Sequence, residues 1–132
     1  DQPVIGALLT EQIKRAAKEN VVLNLDIHLM PQIRISATDA CIIFGNIFEN
    51  AFQACEVLAK GENRWINAEI KQRDQCVVIR ITNPKPLQET RTVRSGKHGI
   101  GLKNVKKAVA KYGGFLHIGD DNNRFSVTIL IP

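Results

Sequence analysis

The stretch CIIFGNIFENAFQACEVLAK, residues 41–60, decides how the rest of the chain is read. At about 100° per residue, Ile43, Phe44, Ile47, Phe48, Ala51, Phe52, Ala54, Cys55 and Leu58 share one broad arc. Asn46, Glu49, Asn50, Gln53, Glu56 and Lys60 fill the other side at spacings of three and four. The pattern predicts a long helix running to Lys60, with Ser36 and Thr38 as candidate caps and Gly61 as its stop. Its polar stripe has two readings. One is a solvated helix face. The other is a ligand face, because two asparagines four apart, with a carboxylate on the same strip, supply the oxygens and donors that a Mg²⁺-bound phosphate chain needs.

Working outward, Ile5, Leu8, Leu9, Ile13, Ala16 and Ala17 recur at helical spacing between Pro3 and Asn20. Val21, Leu23, Leu25, Ile27 and Leu29 then alternate with Asn24, Asp26 and His28, which is the period of a half-buried strand. Pro31 ends it, and Ile33–Ile35 reads as a short second piece. Downstream, Trp65–Gln72 and Cys76–Thr82 form a hairpin pattern around Arg73-Asp74-Gln75. Residues 83–99 hold two prolines and two glycines and read as a loop. Ile100–Tyr112 is a second strong helix closed by Gly113-Gly114, and Phe115–Ile118 with Phe125–Ile131 reads as a closing hairpin. This order predicts an α/β sandwich in one domain spanning 1–132.

Composition narrows the function classes. The chain has 132 residues, 44% hydrophobic and 23% charged, which is globular rather than disordered or fibrous. No apolar run approaches the roughly 18–20 residues of a membrane span. The only Met is Met30 and the chain starts at Asp1, so a piece of something larger is expected. The net charge of +5 is not diffuse: residues 90–119 carry seven bases (Arg91, Arg94, Lys97, Lys103, Lys106, Lys107, Lys111) and no acid. Such a segment suits an anionic partner. Nucleic acid is the weaker reading of that partner, because Trp65 and Tyr112 are the only Trp and Tyr and make no stacking platform. Cys41, Cys55 and Cys76 fit neither a disulfide framework nor a metal site and are expected as buried free thiols in a reducing compartment.

Ser95–Leu102 reads SGKHGIGL. Glycines at 96, 99 and 101 let backbone approach a ligand, and a helix start just after them offers unpaired N–H groups and the positive dipole end. The combination is an anion site, though neither a P-loop nor a dinucleotide fingerprint. In the helix beyond, Leu102, Val105, Val109 and Tyr112 are expected to face the core. Lys103, Lys106, Lys107 and Lys111 face either solvent or a partner. His98 is either part of the anion site or an ordinary loop residue, and His28 and His117 read as ordinary strand residues.

GNIFENAFQAC (45–55) resembles the asparagine box of the GHKL ATPases, and HGIGLKNVKKAVAKYGG (98–114) resembles their second glycine box and following helix. The wording is most similar to sensor histidine kinases of the quorum-sensing, peptide-pheromone type. The resemblance implies an α+β fold, a mixed and mostly antiparallel sheet of about five strands covered on one face by three helices. It implies the catalytic domain of a protein-histidine kinase, binding Mg·ATP and passing the γ-phosphate to a histidine on its own dimerisation and phosphoacceptor domain. A response regulator would follow indirectly, in a two-component system. This fragment would be cytoplasmic, without membrane contact, in a protein anchored in the membrane, and inactive without its acceptor domain.

Carried onto this chain, Asn50 would coordinate Mg²⁺ and Asn46 would face the phosphates. Asn46 stands where hydrolysing relatives place a glutamate, and an amide cannot act as a general base, so transfer rather than hydrolysis is implied. The nucleotide set would be Asn46, Asn50, Gln53, Asn83, Lys97, His98, Gly99, Ile100, Gly101, Leu102 and Thr128, under a lid made from 85–98. There are departures. The first glycine box appears as NPKPL (83–87), with Asn83 at the adenine-reading position and Lys85 and Leu87 where glycines are usual. NNRF (122–125) replaces a Gly-Thr pair in the last box, leaving Thr128 as its contributor. These departures carry the alternative of a non-catalytic module of the same fold with weak nucleotide affinity, docking an acidic protein.

Overall fold

The computed structural model describes residues 2–29, 33–58, 63–85, 95–121 and 123–132, with backbone only at 2 and 95–100. Its elements are α1 (Gln2–Glu19), β1 (Val22–His28), α2 (Ala37–Glu56), β2 (Trp65–Arg73), β3 (Cys76–Pro84), α3 (Ser95–Ala110), β4 (Phe115–Asp120) and β5 (Arg124–Ile131). The five strands form one sheet in the order β1-β2-β3-β5-β4. Only the β1–β2 pair is parallel, since α2 carries the chain back between them; the other three pairs are antiparallel.

The strand alternation decides which face the helices cover. Ile66, Ala68 and Ile70 of β2, Val77, Ile79 and Ile81 of β3, and Val127, Ile129 and Ile131 of β5 are buried in one cluster with Ile5, Phe44, Phe48 and Val105 from the helices. Asn67, Glu69, Lys71 and Arg80 alternate with them and are exposed on the other face. The fold is therefore a mixed five-stranded sheet with three helices on one face, an α+β arrangement. Phe44, Phe48 and Phe52, one turn apart on α2, are completely buried, so α2 is the central helix, packed against α1, α3 and the sheet.

Local chemistry sets the ends of the elements. Ser36 caps α2, its hydroxyl accepting from the Asp39 N–H at 3.1 Å. Asn20 takes φ 58° after α1, and Gly113 takes φ 70° after α3, where a side chain is disfavoured. Thr38 lies inside α2 and is not its cap.

Three expectations are corrected. Residues 33–36 form no strand; Ile35 is buried, but the Ser36 N–H is taken by the Tyr112 hydroxyl at 3.0 Å instead of by a neighbouring strand. Helix α2 ends at Glu56, not Lys60, because the Leu58 N–H turns back to the Cys55 carbonyl at 3.2 Å; Lys60 and Gly61 lie outside the described residues. Of the cysteines only Cys55 is buried, while Cys41 is exposed and Cys76 intermediate.

Candidate functional site

The polar stripe of α2 divides into two faces once packed. Glu49 and Glu56 turn toward α1, where Arg15 bonds Glu49, pairs with Glu19 at 2.6 Å and with Glu56 at 3.5 Å, and sits 4.5 Å from the Phe52 ring centre. Burial, hydrogen bonds and the cation–ring contact combine there to fasten the two helices. Gln53 donates to Glu49 at 3.1 Å and is half-buried.

Asn46 and Asn50 occupy the other flank. Asn50 is only 5% exposed, and its amide nitrogen is the buried side-chain atom without a hydrogen-bond partner among the described residues. An unpaired buried amide costs about 1–3 kcal/mol, so this one is poised for a group the protein does not itself supply. Asn46 donates to the Ile42 carbonyl at 2.7 Å, which turns its oxygen outward. That oxygen lies 3.2 Å from where a Cβ on Gly101 would sit, so the missing side chain lets α3 close on Asn46.

Asn83 enters from β3. It is 2% exposed and donates through its amide nitrogen to the Pro84 carbonyl at 3.0 Å. Its oxygen remains as the acceptor of the side chain.

The glycine segment departs from its expected form. It reads as a loop ahead of a helix, but α3 already begins at Ser95, so Gly99, Ile100, Gly101 and Leu102 are helical. Each helical glycine costs about 1 kcal/mol relative to alanine; packing of α3 against α2 offsets that cost. Within the helix, the amides without helical partners are then those of residues 95–97 rather than those of Gly99 and Gly101. Lys97 and His98 contribute backbone to this first turn, and their side chains lie outside what is described, as do the expected lid residues 86–94. Leu102 is half-buried, Val105 and Val109 are fully buried, and Lys103, Lys106 and Lys107 are exposed.

Thr128 does not join the others. It is paired between Arg80 and His117 on the sheet face away from the helices, whereas Asn46, Asn50 and Asn83 lie on the helix side. His28 ends β1, 2.9 Å from Asp26, and His117 is an exposed residue of β4. Both are strand residues.

Sequence reading missed a second cluster. Asp39, in the first turn of α2, is buried and accepts from the Tyr112 hydroxyl at 2.5 Å, from Lys111 at 3.0 Å and from Ser36 at 3.0 Å. These donors, Tyr112 foremost, hold its carboxyl below the usual carboxylate range. Lys111, though exposed, is thereby paired with α2. A cavity of about 760 Å³ beside this cluster is lined by Arg34, Ile35, Gln72, Lys111 and Pro132 among others. It meets the C-terminal end of α3, and none of the candidate residues lines it. Among the described residues no group of three His, Cys, Asp or Glu could hold a metal ion.

A family profile described as GHKL domain matches residues 35–132. The chain is 27% identical to the sensor histidine kinase DpiB of Escherichia coli K12 over 92% of its length and 25% of that protein. It is 25% identical to the sensor protein CitS of Bacillus subtilis 168, over 97% of its length and 26% of that protein. It thus spans about a quarter of the length of these curated relatives. Among solved structures, the nucleotide-free catalytic domain of histidine kinase ThkA superposes with a TM-score of 0.75 at 17% identity, covering 99% of this chain and 90% of that one. The mycobacterial sensor histidine kinase MprB gives 0.70 at 20% identity, covering 99% and 94%. The fold is that of histidine kinase catalytic domains, and the chain belongs to the GHKL domain family.

Proposed function

We propose that this domain binds Mg·ATP and donates the γ-phosphate to a histidine on a separate dimerisation and phosphoacceptor domain of a sensor kinase, in two-component signalling. The observation that carries the reading is Asn50: a buried amide with an unpartnered polar end, one turn from Asn46, which itself meets the glycine segment of α3. The unpaired Asn50 nitrogen is a donor and would meet a phosphate oxygen, while the oxygen of the same amide would be the atom offered to Mg²⁺, which commonly keeps waters and phosphate oxygens as its other ligands. When bound, the ion would neutralise charge on the phosphate chain. Asn46 and Gln53 would face the phosphates, while Lys97, His98 and the free N–H groups at residues 95–97 would add positive charge and donors. Asn83 would receive the adenine amino group on its oxygen. Gly99, Ile100 and Leu102 would shape the wall between them. Thr128, on the far sheet face, is left out of this site.

Asn46 carries no basic lone pair and would not activate water as a glutamate there would. The domain would hold ATP for transfer by positioning and charge neutralisation. Its acceptor domain would be part of the same full-length protein, with a response regulator downstream. No described helix is long and apolar enough to cross a membrane, and we place the domain in the cytoplasm of a membrane-anchored receptor. The peptide-pheromone subtype rests on the wording of 45–55 and 98–114 alone; a curated relative from Bacillus subtilis 168 carries the name probable C4-dicarboxylate sensor kinase.

Calorimetric titration of the chain with ATP, with and without Mg²⁺, tests the reading. Binding that weakens in Asn50→Ala and Asn83→Ala is expected. Absence of binding at millimolar ATP, or unchanged binding in both variants, would favour the non-catalytic module whose exposed Lys103, Lys106 and Lys107 dock an acidic protein.

A further inference from the structure

Lys85 stands at the first position after β3, where the resembling family carries a glycine. Its side chain is only 12% exposed, and its ammonium is paired with the Asp120 carboxylate at the end of β4. Lysine is seldom so covered unless it is paired. Its backbone is fastened as well, the Lys85 N–H donating to the Asn123 carbonyl at 3.0 Å. The far side of this attachment is itself braced. Asp121 accepts from the N–H groups of Asn123 and Arg124 at 2.9 and 2.7 Å, and its own N–H donates to the Arg124 carbonyl at 3.0 Å.

The fastened peptide unit is the one that Asn83 uses. The Pro84 carbonyl and the Lys85 N–H belong to one planar group, so fixing the N–H fixes the carbonyl. That carbonyl takes the Asn83 amide nitrogen at 3.0 Å. Only the nitrogen of a carboxamide can donate, so this bond decides which way the buried Asn83 amide is turned and presents its oxygen as an acceptor.

We infer that the Lys85–Asp120 pair is a latch that sets the Asn83 amide and so makes the site prefer adenine to guanine. The inference rests on the nucleotide reading above. Adenine offers an amino donor to an acceptor oxygen, whereas guanine offers a carbonyl at the corresponding position. With the latch intact, guanine meets oxygen against oxygen in a dry site, a mismatch that leaves two acceptors unpaired. With the latch opened, the peptide keeps only its N–H bond to the Asn123 carbonyl, its orientation loosens, the amide can reverse, and its nitrogen can donate to guanine. Lys85 and Asp120 are positioning residues in this scheme and touch no nucleotide.

Dissociation constants for ATP and GTP, measured by calorimetry on the chain, its Lys85→Met, Asp120→Ala and Lys85→Arg variants, test it, with the urea midpoint of each. The unaltered chain should prefer ATP. Lys85→Met and Asp120→Ala should each lower the ATP-to-GTP affinity ratio by about tenfold, and Lys85→Arg, which keeps the pair, should retain it. A ratio unchanged in both disrupting variants overturns the latch, even if both nucleotides weaken together with the urea midpoint. A ratio altered by Lys85→Met alone also overturns it, because Lys85 would then act on the nucleotide without Asp120. If the unaltered chain binds neither nucleotide, the nucleotide reading falls and the latch with it; if it binds ATP with an unmoved ratio, only the latch falls.

Discussion

Three glycines show how differently one residue type can matter. Gly114, just past α3, has no room for a side chain: a Cβ there would lie 2.4 Å from the Leu130 carbonyl oxygen and 2.7 Å from a Val109 methyl. Both neighbours are held, one by the β5 ladder and one in the core, so neither can yield cheaply. Gly114→Ala should therefore cost about 1–3 kcal/mol, read as a lowered urea midpoint with unchanged slope. Gly45 is the opposite case, a mid-helix glycine of α2 with nothing within 4 Å of its would-be Cβ. Gly45→Ala should stabilise by about 0.5–1 kcal/mol through helix propensity and unfolded-chain entropy. Both glycines read alike in the sequence as punctuation or motif, and only the distance to the neighbouring backbone separates them. Gly101 is intermediate: its Cβ would press on the Asn46 oxygen at 3.2 Å, a contact inside the candidate site and not in the core.

Among the elements, α2 and α3 are joined at one end by the glycine contact at Asn46 and at the other by Asp39. The second joint makes a pH prediction. Tyr112, Lys111 and Ser36 lower the folded-state pKa of Asp39 beneath its unfolded value, so the unfolded chain takes up the proton more readily. The stabilisation is thus complete above about pH 4–5 and disappears as pH falls through the folded-state value. Asp39→Asn should cost about 1–3 kcal/mol near neutral pH and should be less sensitive than the unaltered chain to acidification from pH 6 to pH 3. Asp26 and Asp121 are also held low, by Lys71 and by backbone N–H groups, so the comparison between the two proteins isolates Asp39. Equal acid sensitivity in both would show that the Asp39 cluster carries no linkage. The elements themselves were largely legible: periods of two and of 3.6 place five strands and three helices within a few residues. The start of α3 was not, because two glycines and a serine read as a break, whereas the backbone is helical through them. Asp39 was illegible for a related reason. A carboxylate in a first helical turn looks like dipole compensation, and two of its three partners, Lys111 and Tyr112, lie more than seventy residues away.

Across the whole molecule, the candidate residues come from α2, β3 and α3, each fixed to the same core by the central helix and the middle of the sheet. The motifs alone identify Asn46, Asn50 and Gly101 as neighbours-to-be, but they cannot tell that Thr128 faces the other side of the sheet; that follows from its register against Arg80 and His117. Because one core supports every contributor, the chain should unfold as one unit, and a ligand bound at this site should stabilise all of it. A ligand that binds only the folded state adds about 2.7 kcal/mol at a hundredfold excess over its dissociation constant, which for a domain of this size raises the melting temperature by on the order of 5–10 °C. Calorimetric melting should accordingly show a single transition that moves upward with Mg·ATP, moves less in Asn50→Ala, and stays in place with inorganic phosphate alone. Two separate transitions would break the single-core picture. A transition that ignores saturating Mg·ATP would mean that the unpaired amide of Asn50 serves some purpose other than holding a nucleotide.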